Sequence, residues 1–578
     1  MCGIIGMVAE QEFTLKEAFG RLKKLEYRGY DSFGYFDGNL LIKKVGAIQI
    51  PDIDKKTKIA ILHTRWSTHG GVTEANAHPH VTENKEVAVV HNGIIDNYIE
   101  LKAELEKKGH IFTSQTDSEV LAHYIEEQLK TKKMQEIMVD FFNDIKGQFA
   151  LLVIIKGDQN LYAFKRDSPL CLGLAKNHMI LASDVYAFAD TTQKAIFFDD
   201  DECAIISGNE YRIFNKKLQP IKKEIVEFEF ASNEGEKKEY PHYMIKEIME
   251  QPERAQILLN SAATAQKEKF FKAAKMIKAA GRVLLVGIGT SYHAAKFGEK
   301  VFTRLGIDAM AQNAADISPV YYSDDALVIP ISQSGETMDV IKELKVLKER
   351  YPEMKIVSIL NVPYSTLQRM SDMVLECLAG PEICVASTKA FTNQCLSLLL
   401  IARELGLEGK LESIPPAFNK TLSLNQKPIE KLTEQIKTKQ SMFVLGNLLY
   451  EPIALEVALK IKEIAYIHAE GLQSRSLKHG PLALITDGVP VINFLYNNEE
   501  FTISNMKEVE SRGAFTIITS NKEPLFKAKA SFIIPVENEY IFALCSNLIG
   551  QILTYEMAKS LNLPIDKPRN LAKSVTVV

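Results

Sequence analysis

From about residue 245 the sequence alternates helices with short apolar strands, and it completes this alternation twice. The apolar runs lie at 282–287, 326–331, 355–360 and 373–378 in the first round, and at 441–446, 489–495, 515–519 and 531–536 in the second. Strands, glycine-bearing loops and helices in this order predict an α/β layered fold with a mostly parallel sheet. The two rounds form a weak internal repeat, similar in period and poor in sequence identity.

The N-terminal part of the chain has a different pattern. Up to about residue 228 it is strand-rich with some helices, and short β-like runs are separated by turn residues. A polar stretch at 231–239 lacks an apolar period, which is typical of a linker. We therefore expect an N-terminal domain at 1–228, a linker at 229–245, α/β copies at 246–410 and 425–565, and a tail at 566–578.

Composition excludes several classes of protein. The 578 residues are 46% hydrophobic with a net charge of −4, which argues against a disordered chain and against a surface that binds nucleic acid as a whole. No apolar run is long enough for a membrane span, and no secretory signal opens the chain. The seven cysteines are scattered and form no CxxC pair, so we expect a reducing cytoplasm.

Cys2 is a candidate nucleophile because of its position. Removal of Met1 would leave its thiol beside its own α-amino group, whose pKa of about 7.7–8.0 suits a base near neutral pH. The alternative is a buried cysteine in an N-terminal strand.

Three further segments suit amide chemistry. Arg65, in a loop after a strand, is suited to capturing a carboxylate. Asn92 and the backbone N–H of Gly93 form a plausible oxyanion pair at the end of another strand. Asp117 precedes a helix and could bind an ammonium group, although on its own a helix N-cap is the favoured interpretation.

Five histidines lie close together in the sequence and raise the alternative of a metal site. They are His63, His69, His78, His80 and His91. The segment has neither a His-Glu-x-x-His pair nor supporting cysteines or carboxylates at ligand spacing, so we expect no metal.

Small hydroxyl residues mark a candidate phosphate site in the first α/β copy. Thr290 and Ser291 follow a Gly-x-Gly turn, and residues 331–337 (Ile-Ser-Gln-Ser-Gly-Glu-Thr) lie between a strand and a helix. Backbone N–H groups at a helix N-terminus together with hydroxyls bind anions, although the same residues also cap helices. Residues 385–389 add a third such loop.

The second copy offers acid–base groups instead. Glu456, Lys460 and Glu463 share one helical face, for which a surface ladder of ion pairs is the favoured interpretation when the segment is taken alone. His479 could move protons at neutral pH. Lys573, in the patterned tail, could form a Schiff base or could be a solvated lysine.

Together these segments resemble the glutamine–fructose-6-phosphate aminotransferase (isomerising) family, also called glucosamine-6-phosphate synthases, over almost the whole chain. The motifs that carry the resemblance lie at 1–4, 27–32, 63–70, 76–80, 91–94, 332–337, 386–391, 477–481 and 568–576. The resemblance implies an α+β N-terminal-nucleophile glutaminase domain with αββα layers, followed by two α/β sugar isomerase (SIS) domains with parallel sheets.

The resemblance also assigns roles to residues of the glutaminase half. Cys2 would attack the glutamine amide, and Asn92 with Gly93 would hold the oxyanion. Arg65 would bind the α-carboxylate and Asp117 the α-ammonium of L-glutamine. The remaining residues contribute to the same half of the reaction: Thr68 and His69 line the pocket, and Trp66, the only tryptophan, gates an ammonia channel.

In the sugar half, the resemblance implies a site for fructose 6-phosphate that needs neither metal nor nucleotide cofactor. The residues that would bind the phosphate and sugar are Thr290, Ser291, Ser332, Gln333, Ser334, Thr337 and Val385. Lys573 would form the Schiff base, and Glu463 would move the proton with support from Glu456 and Lys460. His479 would reach in from a neighbouring subunit, which implies a homodimer.

The sequence departs from the family pattern at Phe33, at 446–448, at Val457 and at 473–476. The last three lie near the second-copy edge of the expected sugar site. They leave open a related amidotransferase that acts on another keto-sugar phosphate. A non-catalytic sugar-phosphate sensor is a further alternative, against which Cys2, His479 and Lys573 argue.

Overall fold

The computed structural model describes residues 2–208, 210–228, 237–316 and 324–573. The chain divides into two compact units, one with residues 1–233 and 572–578 and the other with residues 234–571. Part of the expected linker, at 229–236, lies outside the described residues. The domain boundaries proposed from the sequence stay predictions.

The first unit is built mainly from antiparallel strands, with four helices among its described residues. The strands are β1 (Gly3–Thr14), β2 (Ser32–Phe36), β3 (Leu41–Val45), β4 (Lys56–Arg65), β5 (His80–Val81), β6 (Val87–Ile95), β7 (Gly147–Ile155), β8 (Leu161–Arg166), β9 (Cys171–Leu174), β10 (His178–Ala182), β11 (Lys194–Phe197), β12 (Glu202–Ser207), β13 (Glu210–Asn215), β14 (Pro220–Ile221) and β15 (Val226–Glu227). The helices are α1 (Leu15–Lys24), α2 (Tyr98–Lys107), α3 (Glu119–Leu129) and α4 (Met134–Asp144).

These strands form two sheets that face each other. The described strands are ordered β15-β11-β9-β10-β1-β4-β2-β3 in one sheet and β14-β13-β12-β8-β7-β6-β5 in the other. Side chains of both sheets, such as Ile4 and Ile61 from the first and Val90 from the second, share one buried core. Val89, which points to the other face of β6 because strand side chains alternate, packs instead with Leu121 of α3.

Helix α1 covers the outer face of the first sheet, on β1 and β4. It begins where the Thr14 side chain accepts a hydrogen bond from the Glu17 backbone N–H at 3.1 Å, which satisfies one of the free amides of its first turn. The layers are therefore helix, sheet, sheet, helix, as the resemblance implies.

The second unit alternates helices with parallel strands. Its described helices are α5 (Tyr243–Met249), α6 (Gln251–Ala263), α7 (Lys267–Ala279), α8 (Thr290–Arg304), α9 (Met338–Arg350), α10 (Thr366–Met370), α11 (Lys389–Glu404), α12 (Ile414–Ile436), α13 (Glu451–Lys460), α14 (Glu500–Glu510) and α15 (Glu539–Ser560). Its described strands are β16 (Val283–Gly287), β17 (Ala309–Asn313), β18 (Leu327–Ser332), β19 (Lys355–Leu360), β20 (Met373–Glu376), β21 (Ser441–Gly446), β22 (His468–Gln473), β23 (Pro490–Leu495), β24 (Phe515–Ser520) and β25 (Ala530–Ile533).

The two sheets of this unit have the same topology. Their orders are β17-β16-β18-β19-β20 and β22-β21-β23-β24-β25, and neighbouring strands run parallel. The expected internal repeat is therefore confirmed. In both copies the first strand along the chain (β16 or β21), second from the edge of its sheet, leads into a helix (α8 or α13), so the two helix N-termini occupy equivalent positions.

Helix α15 is long and apolar enough to cross a membrane, the one such helix among the described residues, and its apolar window is wholly buried in the fold. It packs against α12 and α13, where Gly550 leaves room for Val457: a Cβ on Gly550 would lie 2.2 Å from a Val457 methyl. The valine that departs from the family pattern is thus accommodated by a glycine on the neighbouring helix.

Candidate active sites

Cys2 lies directly before β1, where the loop after β4 approaches it. The Trp66 backbone N–H donates to the Cys2 Sγ at 3.2 Å, and the Sγ lies 3.4 Å from the Trp66 carbonyl oxygen. Arg28 Nε donates to the Cys2 carbonyl at 3.1 Å. The thiol is partly exposed, unlike the other six cysteines, which are buried. The chain therefore presents one accessible thiol, and backbone contacts fix its position.

The predicted oxyanion pair lies beside this thiol. Asn92 Nδ2 donates to the Cys2 carbonyl at 3.1 Å, and Asn92 Oδ1 lies 3.1 Å from His63 Nε2. Gly93 has a φ of 135°, and a Cβ at this position would lie 1.9 Å from the Gln148 carbonyl oxygen. Only glycine fits there.

Arg65 organises the loop that carries Trp66. Its Nη1 donates to the Gly71 carbonyl at 3.2 Å and its Nη2 to the His69 carbonyl. Burial lowers the pKa of Arg65, and nearby Cys2, Asp31 and Asp117 act in the opposite direction. Arg65 thus uses part of its guanidinium group for hydrogen bonds to backbone carbonyls of its own loop. Thr68 is exposed, and its hydroxyl lies 3.4 Å from His69 Nδ1.

Asp117 is not the N-cap of α3, so that interpretation is wrong. Ser118 occupies the cap position, and the Asp117 Oδ2 accepts the Ile95 backbone N–H at 2.8 Å. A side chain that bonds to the end of β6 holds α3 against the strand that carries Asn92. The carboxylate is buried, so it can offer a fixed negative charge to a ligand.

The sequence cluster of histidines is part of the protein core. His63, His78, His80 and His91, here called the histidine group, are all buried. His91 Nδ1 bonds to Ser118 at 2.8 Å, His80 Nε2 bonds to Thr116 at 2.9 Å, and the rings of His63 and His78 stack 4.1 Å apart. Burial lowers the pKa of His63 to about 3 and those of His78, His80 and His91 below the ordinary value.

These histidines are neutral and hydrogen-bonded. His63 contacts Asn92, and His91 contacts Ser118, the residue after Asp117. Among the described residues, no three of them bring ligand atoms together at metal-binding distance. The geometry therefore gives these histidines a structural place behind the site, and the expectation of no metal at 63–91 stays a prediction. Sequence analysis also gave no role to Arg28 or Asp31, although both lie in the 27–32 motif; Asp31 accepts the Ser67 N–H at 2.9 Å.

In the second unit, Glu456 and Lys460 are buried, so the interpretation as a surface ladder is wrong. Glu456 is 0% exposed and Lys460 1%. Lys460 Nζ lies 2.6 Å from Glu463 Oε2, 3.4 Å from Glu456 Oε1 and 3.0 Å from the Thr290 hydroxyl. The cluster joins α13 of the second copy to the N-terminus of α8 of the first.

Opposite charges keep both buried groups ionised. Burial raises the pKa of Glu456, but Lys460 and His293 outweigh it and hold that pKa below its ordinary value. Burial lowers the pKa of Lys460, but Glu456 and Glu463 hold it above the usual range. His293 Nδ1 bonds to Glu456 Oε2 at 2.7 Å. Sequence analysis missed His293, whose only signal was its place one turn after Thr290.

Glu463 differs from its two partners because it reaches a cavity. It lies in a π-helical turn, Ile461–Ala465, that continues α13 and ends at Tyr466 in a left-handed conformation. Such turns are frequent at functional sites. The cavity is about 490 Å³, and Arg569 and Leu571 of the tail line it together with Glu463. The sequence thus brings a carboxylate, held by a buried lysine, to an open surface.

The predicted phosphate loop between β18 and α9 is held by its own hydroxyl groups. The Ser332 hydroxyl lies 3.0 Å from that of Thr337 and accepts the Gly335 N–H at 3.0 Å. Ser334 accepts the Glu336 N–H at 3.1 Å, while Gln333 uses its carbonyl to accept the Val362 N–H. These bonds fix the loop.

The other hydroxyl loops differ in character. Ser291 bonds to Gln394 at 3.1 Å. Around Val385, whose N–H donates to the Asp566 carbonyl, the third loop is already capped: Glu382 accepts the Thr388 and Ala390 N–H groups at 2.9 and 3.0 Å. That helix N-terminus therefore holds an internal carboxylate.

Two predicted residues lie apart from these groups. His479 is exposed at the end of a 3₁₀ turn, Ser474–His479. Lys573 belongs to the first unit by its contacts, although the preceding tail residues belong to the second. Their roles stay predictions.

Comparison with known proteins agrees with this division. The glutamine amidotransferase domain model matches residues 63–190, and the SIS domain model matches twice, at 276–403 and 435–560. Among solved structures, the C-terminal domain of a glucosamine-fructose-6-phosphate aminotransferase from Francisella tularensis has a TM-score of 0.53 at 30% identity, covering 58% of this chain and all of its own. Tagatose-6-phosphate ketose/aldose isomerase from Escherichia coli (TM-score 0.51, 17% identity, 58% of this chain and 96% of its own) shares the fold.

Curated relatives match from end to end. Proteins named glutamine–fructose-6-phosphate aminotransferase [isomerizing] from Pyrococcus horikoshii and Aquifex aeolicus are each 39% identical, and one from Pseudomonas putida is 36% identical. Each match covers 100% of this chain and 100% of the relative. The chain therefore belongs to the glutamine–fructose-6-phosphate aminotransferase (isomerising) family.

Proposed function

We propose that this chain transfers the amide nitrogen of L-glutamine to D-fructose 6-phosphate and isomerises the product, giving D-glucosamine 6-phosphate and L-glutamate. One observation supports the proposal most strongly: the same chain has a positioned thiol near its N-terminus, Cys2, and a buried carboxylate–lysine pair, Glu456 and Lys460, beside the Thr290 hydroxyl. The first suits acyl transfer and the second suits proton transfer on a sugar.

In the glutaminase half, the Cys2 sulfur attacks the amide carbon, and the oxyanion that forms is held by Asn92 and the Gly93 N–H. The C–N bond then breaks, and the leaving nitrogen takes a proton and departs as ammonia. Water hydrolyses the remaining thioester to glutamate. The α-amino group of Cys2 serves as the base once Met1 is removed. Arg65 and Asp117 hold the two charged ends of glutamine, and Trp66 gates the passage of ammonia.

In the sugar half, the C2 carbonyl of the opened ketose is converted through a lysine Schiff base into an imine of ammonia, with the net release of one water, which balances the water used in the thioester step. Glu463 removes a proton from C1 and returns it to C2, which converts the imine of a ketose into a 2-amino aldose without any oxidant. Lys460 stabilises the Glu463 carboxylate between turnovers. Ser332, Ser334 and Thr337 bind the phosphate, with Thr290 and Ser291 alongside.

Two roles rest on the resemblance to the family. Lys573 forms a Schiff base with the opened ketose before ammonia replaces it. His479 assists ring opening in the site of a partner subunit, and its exposure supports that role. We therefore infer a homodimer that acts in the cytoplasm.

A mixing experiment tests the dimer. His479→Gln and Glu463→Gln should each be inactive alone. If His479 acts across the interface, heterodimers contain one complete site and activity returns on mixing; if it acts within its own chain, mixing restores nothing.

A substrate panel tests the reaction itself. Purified enzyme is given glutamine with fructose 6-phosphate or with other ketose phosphates, and both glutamate and amino sugar are measured. Amino sugar from fructose 6-phosphate supports the proposal. Preference for another ketose phosphate would favour the alternative of a related amidotransferase with a different sugar substrate. The departures at 446–448 and 473–476 suggest that alternative; there, Asn447 bonds to Glu499 and Thr502, and Gln473 bonds to Glu451.

A further inference from the structure

A cluster of metal-ligating side chains lies in the first unit, away from Cys2. His110 follows α2, while His123 and Glu126 lie one turn apart on α3. The Nδ1 atoms of His110 and His123 are 3.1 Å apart, and His110 Nδ1 is 3.5 Å from Glu126 Oε2. All three ligand atoms lie within 4.8 Å of one another.

The outer ring nitrogens of both histidines point to carboxylates. His110 Nε2 lies 3.0 Å from Glu127 Oε2, and the buried Nε2 of His123 lies 3.9 Å from Glu119 Oε1. An ionised carboxylate only accepts hydrogen bonds, so the Nε2 of His110 carries the hydrogen, whereas the Nε2 of His123, at 3.9 Å, is too far from its carboxylate for a hydrogen bond. The Nδ1 lone pair of His110 therefore faces the Nδ1 of His123 across 3.1 Å, an approach that either a hydrogen bond or a shared metal ion accounts for.

We propose that His110, His123 and Glu126 form a binding site for a divalent transition metal of the Zn²⁺ type. Zn–N bonds of 2.0–2.1 Å in a tetrahedral site put two nitrogens about 3.3 Å apart, close to the observed 3.1 Å. Two histidines and one glutamate are a known zinc ligand set. Glu127, which bonds to His110 Nε2, supplies a second-layer carboxylate of the kind that metal-bound histidines use.

The two histidines of the site are buried, and the glutamate is partly exposed to solvent. The side chains of His110 and His123 are 6% and 3% exposed, whereas that of Glu126 is 22% exposed and leaves the fourth position open to water. A bound metal would tie His110 to α3. Glu119, at the start of α3, already accepts the Thr113 and Ser114 N–H groups at 2.9 and 2.7 Å. Metal binding would therefore stiffen the segment that carries Asp117.

Zinc binding to the full-length chain tests the site. The experiment uses a Cys2→Ala background, since an N-terminal thiol and amine could chelate zinc themselves. Chelator-treated protein is dialysed against Zn²⁺ and bound metal is measured by mass spectrometry; Co²⁺ in place of Zn²⁺ gives a visible spectrum that reports tetrahedral nitrogen and oxygen ligands. We expect one metal per chain and a rise in melting temperature.

The variants separate this site from surface binding. His110→Gln and Glu126→Gln should each weaken binding at least about 10-fold, and Glu127→Gln, which perturbs only the outer layer, about 10–100-fold. Glu104→Gln, an exposed glutamate on α2, should leave affinity unchanged. Absence of stoichiometric metal in the parent protein would overturn the proposal, because a hydrogen bond between the two imidazoles would then account for their approach. Binding that survives both His110→Gln and Glu127→Gln would overturn it as well.

Discussion

Replacement of Lys460 by methionine should destabilise the protein by about 3–5 kcal/mol. The lysine is 1% exposed and its Nζ contacts Glu463, Thr290 and Glu456. Methionine matches its length but removes the ammonium group beside the Glu456 carboxylate, which is 0% exposed and keeps only its hydrogen bonds to His293 and Thr290. A buried charge deprived of its partner is costly, and native proteins are stable by roughly 5–15 kcal/mol, so the loss is a large fraction of the total.

The deficit should depend on pH in a defined direction. In the parent protein the pKa of Glu456 lies below its ordinary value despite burial, so its contribution to stability is lost as pH falls through that range. Without Lys460 that pKa rises, and a carboxyl whose folded pKa exceeds the unfolded value stabilises the fold as pH falls. The difference between variant and parent is therefore largest at neutral pH and shrinks toward pH 4–5.

Calorimetry on the full chain measures this difference. Lys462→Met is the matched control, because Lys462 is exposed two residues away, and it should change stability by less than about 0.5 kcal/mol. Adding Glu456→Leu to Lys460→Met removes the stranded charge and should recover part of the loss. A Lys460→Met protein as stable at pH 7.5 as Lys462→Met would refute the assignment of a buried ion pair.

Three further predictions concern the first unit. Gly93→Ala should lower the free energy of unfolding by more than about 3 kcal/mol and abolish glutamine hydrolysis, since its Cβ would lie 1.9 Å from a carbonyl oxygen. The control Gly20→Ala, in α1 with open space around it, should be neutral or stabilising by up to about 1 kcal/mol. Chemical denaturation and a glutaminase assay check both variants. Stability should fall by up to about 1.4 kcal/mol per pH unit for each member of the histidine group as pH drops below about 6.5, because these histidines bind protons in the unfolded state but not in the folded state. Fluorescence of the single tryptophan, Trp66, follows unfolding of this unit. A denaturation midpoint that does not change between pH 6.5 and 5 would contradict the prediction. Arg65→Lys keeps the charge but not the fork, so kcat/KM for glutamine should fall about 10-fold or more, and an unchanged value would remove Arg65 from the glutamine site.

The α/β half was largely predictable because parallel strands are buried on both faces and therefore appear as continuous apolar runs. The run at 355–360 coincides with β19, and the run at 441–446 with β21. The strands of the first unit were less predictable, and β2 shows one reason. Its central Gly34 lies against the His78 backbone, where a Cβ would be 2.1 Å from the carbonyl oxygen, and such a close approach leaves no periodic signal.

Errors about the site arose where burial depends on partners distant in sequence. Glu456 and Lys460 have the spacing of a surface ladder, and only the approach of Thr290 and His293, more than 160 residues earlier, makes them a buried cluster. Asp117 has the spacing of a helix cap, yet its partner is the Ile95 amide. Residue type and spacing therefore identified the groups, while the environment that defines their chemistry came from the fold.

Transfer of the labelled amide nitrogen tests the central claim most directly. The enzyme is incubated with amide-¹⁵N glutamine, fructose 6-phosphate and unlabelled ammonium, and the products are analysed by mass spectrometry. We predict glucosamine 6-phosphate that carries ¹⁵N, together with an equal amount of glutamate. Glutamate and ¹⁵N-ammonia without a labelled amino sugar would contradict the account, because the two units would then not carry out successive steps of one reaction.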